Sequence, residues 1–138
     1  MYNKKMKSFA KNLIPLYAGE LACGLFGISD DFVEKHLSLD EKFVKNKIST
    51  FFVRASGESM LPRIENNDIL IVDRSIHPIN ESIVAVFFNG NPLCKQFILH
   101  KNKKYLKSLN ENYPTLEITP DDELNIFGVV IGLARDLL

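Results

Sequence analysis

Asn89-Gly90 is the feature that most narrows what this chain can fold into. The pair favours two consecutive residues at positive φ, the backbone of a two-residue β-hairpin turn. A continuous apolar run, residues 83–88, precedes it, and a second run, residues 93–99, follows it. Two antiparallel strands are therefore expected there. The same punctuation recurs on either side. Residues 51–55 form a β-rich run ending in Ser56-Gly57, and residues 69–72 follow the turn residues Asn66-Asn67-Asp68. Residues 105–109, 116–118 and 126–133 complete the expected strands.

Ahead of residue 50 the pattern is different. Ser29-Asp30-Asp31 has the residue types that cap a helix and favour its first turn, so a short helix through Leu37 is expected. A second helical stretch is expected over residues 39–46. The organisation read from the sequence is thus an N-terminal arm, residues 1–45, and a mainly β domain, residues 46–138.

Charge argues against one class of function. Lys+Arg and Asp+Glu number 17 each, giving zero formal net charge. A chain built to grip a phosphate backbone is ordinarily basic. Only two cysteines are present, Cys23 and Cys94, which suits a reducing cytoplasm better than a secreted disulfide scaffold. Lys4, Lys5, Lys7 and Lys11 precede a mildly apolar stretch, but Pro15 and Glu20 interrupt it. It is too short to read as a membrane span.

Two places carry candidate chemistry. By strand alternation Leu93, Lys95, Phe97 and Leu99 share a face, which sets a lysine inside an apolar stripe. Burial there would disfavour the ammonium and make the amine a general base; a lysine at a strand edge would instead snorkel to solvent. The second place is Ser56-Gly57-Glu58-Ser59-Met60-Leu61-Pro62, directly after a strand. Ser59 is expected at a strand-to-helix turn, where backbone N–H groups could hold an oxyanion while the hydroxyl attacks. Helix capping is the plainer role for such a serine.

Taken together, these segments resemble the LexA/UmuD/signal-peptidase family of Ser–Lys serine peptidases. Residues 59–73, SMLPRIENNDILIVD, are similar to the family's nucleophile segment, with Asn67-Asp68 where the family has Gly-Asp. Asparagine tolerates the left-handed backbone that glycine supplies. Leu93-Cys94-Lys95-Gln96-Phe97 resembles the lysine strand, and Phe127-Gly128-Val129-Val130 the closing strand. LexA-like repressors carry a helix-turn-helix domain ahead of the cleavage site, and the first 22 residues show no such pattern. The layout is closest to the UmuD branch, where a Cys-Gly bond is cut; Cys23-Gly24 falls at the corresponding place.

The resemblance implies a domain of twisted antiparallel sheets behind a partly helical, flexible arm. It implies Ser59 as nucleophile, Lys95 as base and the backbone N–H of Ser59 as oxyanion donor, with neither metal nor cofactor. It further implies a homodimer, cleavage stimulated by RecA filaments on single-stranded DNA, and a UmuC-like catalytic subunit of an error-prone polymerase as partner.

Other readings compete. A Ser-His-Asp hydrolase would need His36, His77 or His100 beside Ser59, and no nucleophile-elbow glycine pattern accompanies that serine. The histidines show no metal-ligand spacing. Glu58, Asp68 and Asp73 read as a solvated turn rather than an acidic site. A signal peptidase needs a membrane anchor. The rival from another class is a non-enzymatic, dimeric binding module in polymerase control, using strand edges and the arm as surfaces.

Overall fold

The computed structural model describes residues 13–17 and 33–138. Two units emerge, divided between Lys45 and Asn46.

In the first unit, β1 (Ile14–Tyr17) pairs antiparallel with β2 (Val33–Leu37), in the register Ile14↔Leu37 and Pro15↔His36. The expected helix through Leu37 is therefore corrected: its last five residues are strand. Residues 29–32 lie outside the described set. The ladder partner comes from 16 to 23 residues upstream, and a non-local partner outweighs weak local helix signals. Pro15, which interrupts the apolar stretch in sequence, is accommodated because each strand of a two-stranded sheet has an open side. A short helix, α1 (Leu39–Phe43), follows. The Ser38 hydroxyl caps it by accepting from the Glu41 N–H at 3.5 Å, and Asp40 and Glu41 sit in its first turn. It stops at Phe43, short of the expected Asn46.

The second unit is one seven-stranded antiparallel sheet in the order β3-β4-β9-β5-β6-β7-β8. Its strands are β3 (Thr50–Arg54), β4 (Ile69–Asp73), β5 (Ile83–Phe88), β6 (Asn91–His100), β7 (Lys103–Lys107), β8 (Leu116–Ile118) and β9 (Leu124–Ala134). The mainly β expectation holds, and each expected strand is present to within a few residues. Asn89 and Gly90 adopt φ of 51° and 82°, the two-residue turn their sequence predicts. A second such turn, at Lys101 and Asn102 with φ of 49° and 64°, joins β6 to β7.

Alternating side chains close two cores. Ala55, Met60, Ile64, Leu70 and Val72 form one, under the loop that follows β3. Val84, Val86, Phe97, Leu106 and Val129 form the other. Burying an aliphatic side chain of this size contributes about 1.5–3 kcal/mol. At the centre of the sheet Gly128 lets β9 approach β4: a Cβ there would stand 2.7 Å from Val72 Cγ1 and 2.9 Å from the Asp73 carbonyl oxygen.

The acidic residues of this region differ from expectation. Glu58 is exposed, but Asp68 and Asp73 are buried. A buried carboxylate must be hydrogen-bonded, and both are. Asp68 accepts from Arg135 Nε and Nη2, each at 2.7 Å, and from the Glu65 N–H at 2.7 Å. Asp73 accepts from the hydroxyls of Ser49 and Ser75 and from the Ser75 N–H. Sequence position alone suggested a solvated turn because the cationic partner, Arg135, is 67 residues away.

Candidate active site

The chain leaves β3 at Arg54 and returns in β4 at Ile69; Ser59 lies on the irregular segment between. Gly57 takes φ 87° and donates its N–H to Asn66 Oδ1 at 2.9 Å. After it, the Leu61 N–H bonds the Glu58 carbonyl, and the Arg63 and Ile64 N–H groups bond the Met60 carbonyl. Ser59 thus sits on a tight turn, and no regular helix follows, contrary to expectation; Pro62 and Asn66-Asn67 leave too few residues to propagate one. Asn67 adopts φ 74°, the left-handed backbone expected of it in place of glycine. Met60 and Ile64 are buried in the core beneath, and Ser59 above them is half-buried.

Lys95 comes from the middle of β6, in register with Val84 of β5 and one residue before the pairing with β7 begins at Gln96. Its side chain is only 8% exposed, so the snorkelling alternative does not hold. Phe97, two residues on, is buried with it, whereas Leu99 at the strand's end is exposed. Burial pushes the Lys95 amine below its ordinary range, opposed by the neighbouring Cys94. The physical cause is loss of hydration from the ammonium. The Lys95 Nζ donates to Ser108 Oγ at 2.8 Å, and the Tyr113 ring centre lies 5.8 Å away.

Ser59 and Lys95 line one cavity of about 440 Å³, which also takes in Met60, Leu70, Phe87 and Phe127. Cys94 lines it too, but burial pushes its thiol up to about 11. It is therefore a protonated thiol near neutral pH and a poor nucleophile. Of the remaining sequence candidates, Cys23 and Gly24 lie outside the described residues. No cluster of three or more metal-ligating side chains occurs among the described residues, and no helix among them is long and apolar enough to cross a membrane.

A family profile described as Peptidase S24-like matches residues 15–131. The chain belongs to the Peptidase S24-like family. By that membership it is a serine-class hydrolase of the LexA/UmuD type. Among its relatives, the protein MucA of Salmonella typhimurium is 33% identical over 85% of this chain and 81% of its own length. The protein SamA of Salmonella typhimurium strain LT2 is 33% identical over 84% of this chain and 81% of its own. The LexA repressor of Clostridium kluyveri is 28% identical over 94% of this chain but 63% of its own length.

Three residues beside this candidate site were not singled out from sequence: Ser108, Asn110 and Tyr113. The Asn110 N–H bonds the Ser59 carbonyl at 2.9 Å, and its side-chain amide bonds the Glu58 carbonyl at 3.0 Å. A signal for Ser108 did exist. A turn at Lys101-Asn102 sets the register Gln96↔Lys107 and Phe97↔Leu106. One step further places Ser108 opposite Lys95.

Proposed function

We propose that this chain is a self-cleaving serine peptidase in which Ser59 is the nucleophile, Lys95 the general base and Cys23-Gly24 the bond cut. The observation that carries the reading is a desolvated lysine sharing one cavity with a serine on a tight turn. Neutral Lys95 takes the proton from Ser59 Oγ as that oxygen attacks the Cys23 carbonyl carbon. The Ser59 backbone N–H stabilises the oxyanion. The carbon–nitrogen bond then breaks, Lys95 returns its proton to the Gly24 amine, and water, deprotonated by Lys95, releases the acyl group. Cys23 is substrate, not catalyst.

The reading extends to biology through the relatives, one of which is a LexA repressor. We place the chain in the cytoplasm as a homodimer whose cleavage is stimulated by RecA filaments on single-stranded DNA. The product, residues 24–138, serves as accessory subunit to a UmuC-like error-prone polymerase. The test is intact mass after incubation at about pH 10, where lysine approaches neutrality, beside Ser59→Ala and Lys95→Ala. A product beginning at Gly24, absent from both variants, is expected. No cleavage at that pH or with RecA filaments would leave the non-enzymatic binding module in its place.

A further inference from the structure

One short segment touches both halves of the proposed dyad. β7 ends at Lys107, and the chain turns away through residues 108–113. At its start Ser108, 3% exposed, accepts from Lys95 Nζ at 2.8 Å. Two residues on, Asn110 bonds the carbonyls of Ser59 and Glu58. The segment braces itself: the Asn112 N–H bonds Asn110 Oδ1 at 3.0 Å and the Tyr113 N–H bonds the Asn110 carbonyl at 3.1 Å. That return brings the Tyr113 ring over Nζ.

We propose that residues 108–113 are the positioning element of the active site, with Ser108 orienting the Lys95 amine and Asn110 fixing the turn that carries Ser59. This rests on the Ser59–Lys95 reading above. A neutral lysine amine has two N–H donors and one lone pair. A general base must aim that lone pair at the proton it abstracts. When Ser108 Oγ accepts one N–H, the lone pair is turned away from Ser108 and left open to the Ser59 hydroxyl. Without that acceptor a long, flexible side chain has several rotamers open to it. Asn110 acts on the other partner: two hydrogen bonds to consecutive carbonyls hold the backbone on either side of the Ser59 nitrogen. Base and nucleophile are thereby referred to the same few residues of backbone, which sets their separation. Small displacements there are costly, because a misplacement of about 1 Å can reduce a rate by about a hundredfold.

Ser108 has a second consequence. An acceptor at Nζ favours the ammonium, opposing desolvation. The groups placed about Nζ are Ser108 and Tyr113 from the loop, Cys94 on the same strand and Val84 across on β5. Cys94 and Tyr113 are the titratable ones, and both stay in place in a Ser108 variant.

The test is the cleavage rate of the full chain against pH for wild type, Ser108→Ala, Ser108→Thr and Asn110→Ala, with thermal unfolding of each. In parallel, Lys95 is titrated by NMR in a Ser59→Ala background, where the chain stays intact. Ser108→Ala is expected to lower the rate about ten- to a hundredfold and to move both the rising limb of the profile and the Lys95 titration to lower pH. Ser108→Thr, which keeps the hydroxyl, restores both. Asn110→Ala slows cleavage without moving the titration. Wild-type rate in Ser108→Ala, or a lower Tm with an unmoved Lys95 titration, overturns the proposal. So does a Thr variant no better than Ala at equal Tm. Cleavage that persists undiminished in Lys95→Ala instead removes the dyad itself, and this inference with it.

Discussion

The two sides of the Ser59–Lys95 cavity are built by different means. Ser59 sits on irregular backbone, and polar contacts define that backbone. Gly57 and Asn67 supply positive φ, Asn66 and Asn110 satisfy backbone groups, and the Asp68–Arg135 pair ties the loop to the end of β9. Lys95 sits within the sheet, paired in the β5–β6 ladder one residue before the β6–β7 ladder begins, beside a core of Val84, Phe97 and Leu106. A nucleophile that must present a hydroxyl and a free N–H suits a turn, since a ladder would consume the N–H. A base that must lose its charge needs burial, and the sheet interior provides that. The division predicts that polar substitutions injure the Ser59 side, and packing substitutions injure the sheet that carries Lys95.

The largest expected effect is at the proposed dyad. Ser59→Ala and Lys95→Ala should each reduce cleavage by at least about a thousandfold, with the double variant no worse than the singles, as measured by intact mass over time. Because burial lowers the lysine's pKa, the neutral base is populated at lower pH than for an exposed lysine. The wild-type rate should therefore rise with pH through that lowered value and level off above it.

The polar side can be broken separately. Asp68→Asn should lower Tm by about 5–10 °C, since hydrogen bonds to charged groups carry more than neutral ones. It should also slow cleavage, because Asp68 braces the loop behind Ser59. Its lowered pKa fixes the sign with pH: the folded carboxylate holds its proton less tightly than the unfolded one. Its contribution is full above the ordinary carboxylate range and is lost as pH falls through the lowered value. Thermal unfolding of wild type and Asp68→Asn should converge in acid. Persistence of the full gap at low pH would contradict the assignment.

Packing can be broken at Gly128. An added methyl meets Val72 and the Asp73 carbonyl, where backbone cannot yield cheaply. Gly128→Ala should cost about 1–3 kcal/mol in denaturant unfolding. Relative to that loss it should slow cleavage less than Asp68→Asn does. The smallest effect is expected at Cys94. With its thiol pushed up to about 11, it should react slowly with thiol reagents near neutral pH, and Cys94→Ser should retain most of the cleavage rate.

The sheet was largely legible from sequence because its signals are local. Alternation, Asn89-Gly90 and the apolar run at residues 83–88 place β5 and β6 without knowledge of any partner. What escaped reading depended on distant residues. Val33–Leu37 is a strand because Ile14–Tyr17 pairs with it. Asp68 is buried because Arg135 reaches it. The same divide runs through the site. Lys95 could be found as a lysine in an apolar stripe, and Ser59 by the motif around it. Ser108 and Asn110 are ordinary polar residues in an ordinary loop, and their contacts with Lys95 and the Ser59 turn exist only once the turn at Lys101-Asn102 sets the register. Lys-Asn is a weaker turn signal than Asn-Gly, since lysine is strained at positive φ.

The central claim, that a buried neutral Lys95 activates Ser59, can be tested apart from the arm and its scissile bond. The measurement is covalent labelling of the full chain by a fluorophosphonate across a pH series, with the labelled residue located by peptide mapping. The account predicts labelling at Ser59, with a rate that rises with pH as Lys95 loses its proton, and none beyond background in Lys95→Ala. Labelling of Ser59 at the same rate and with the same pH dependence in Lys95→Ala would contradict it.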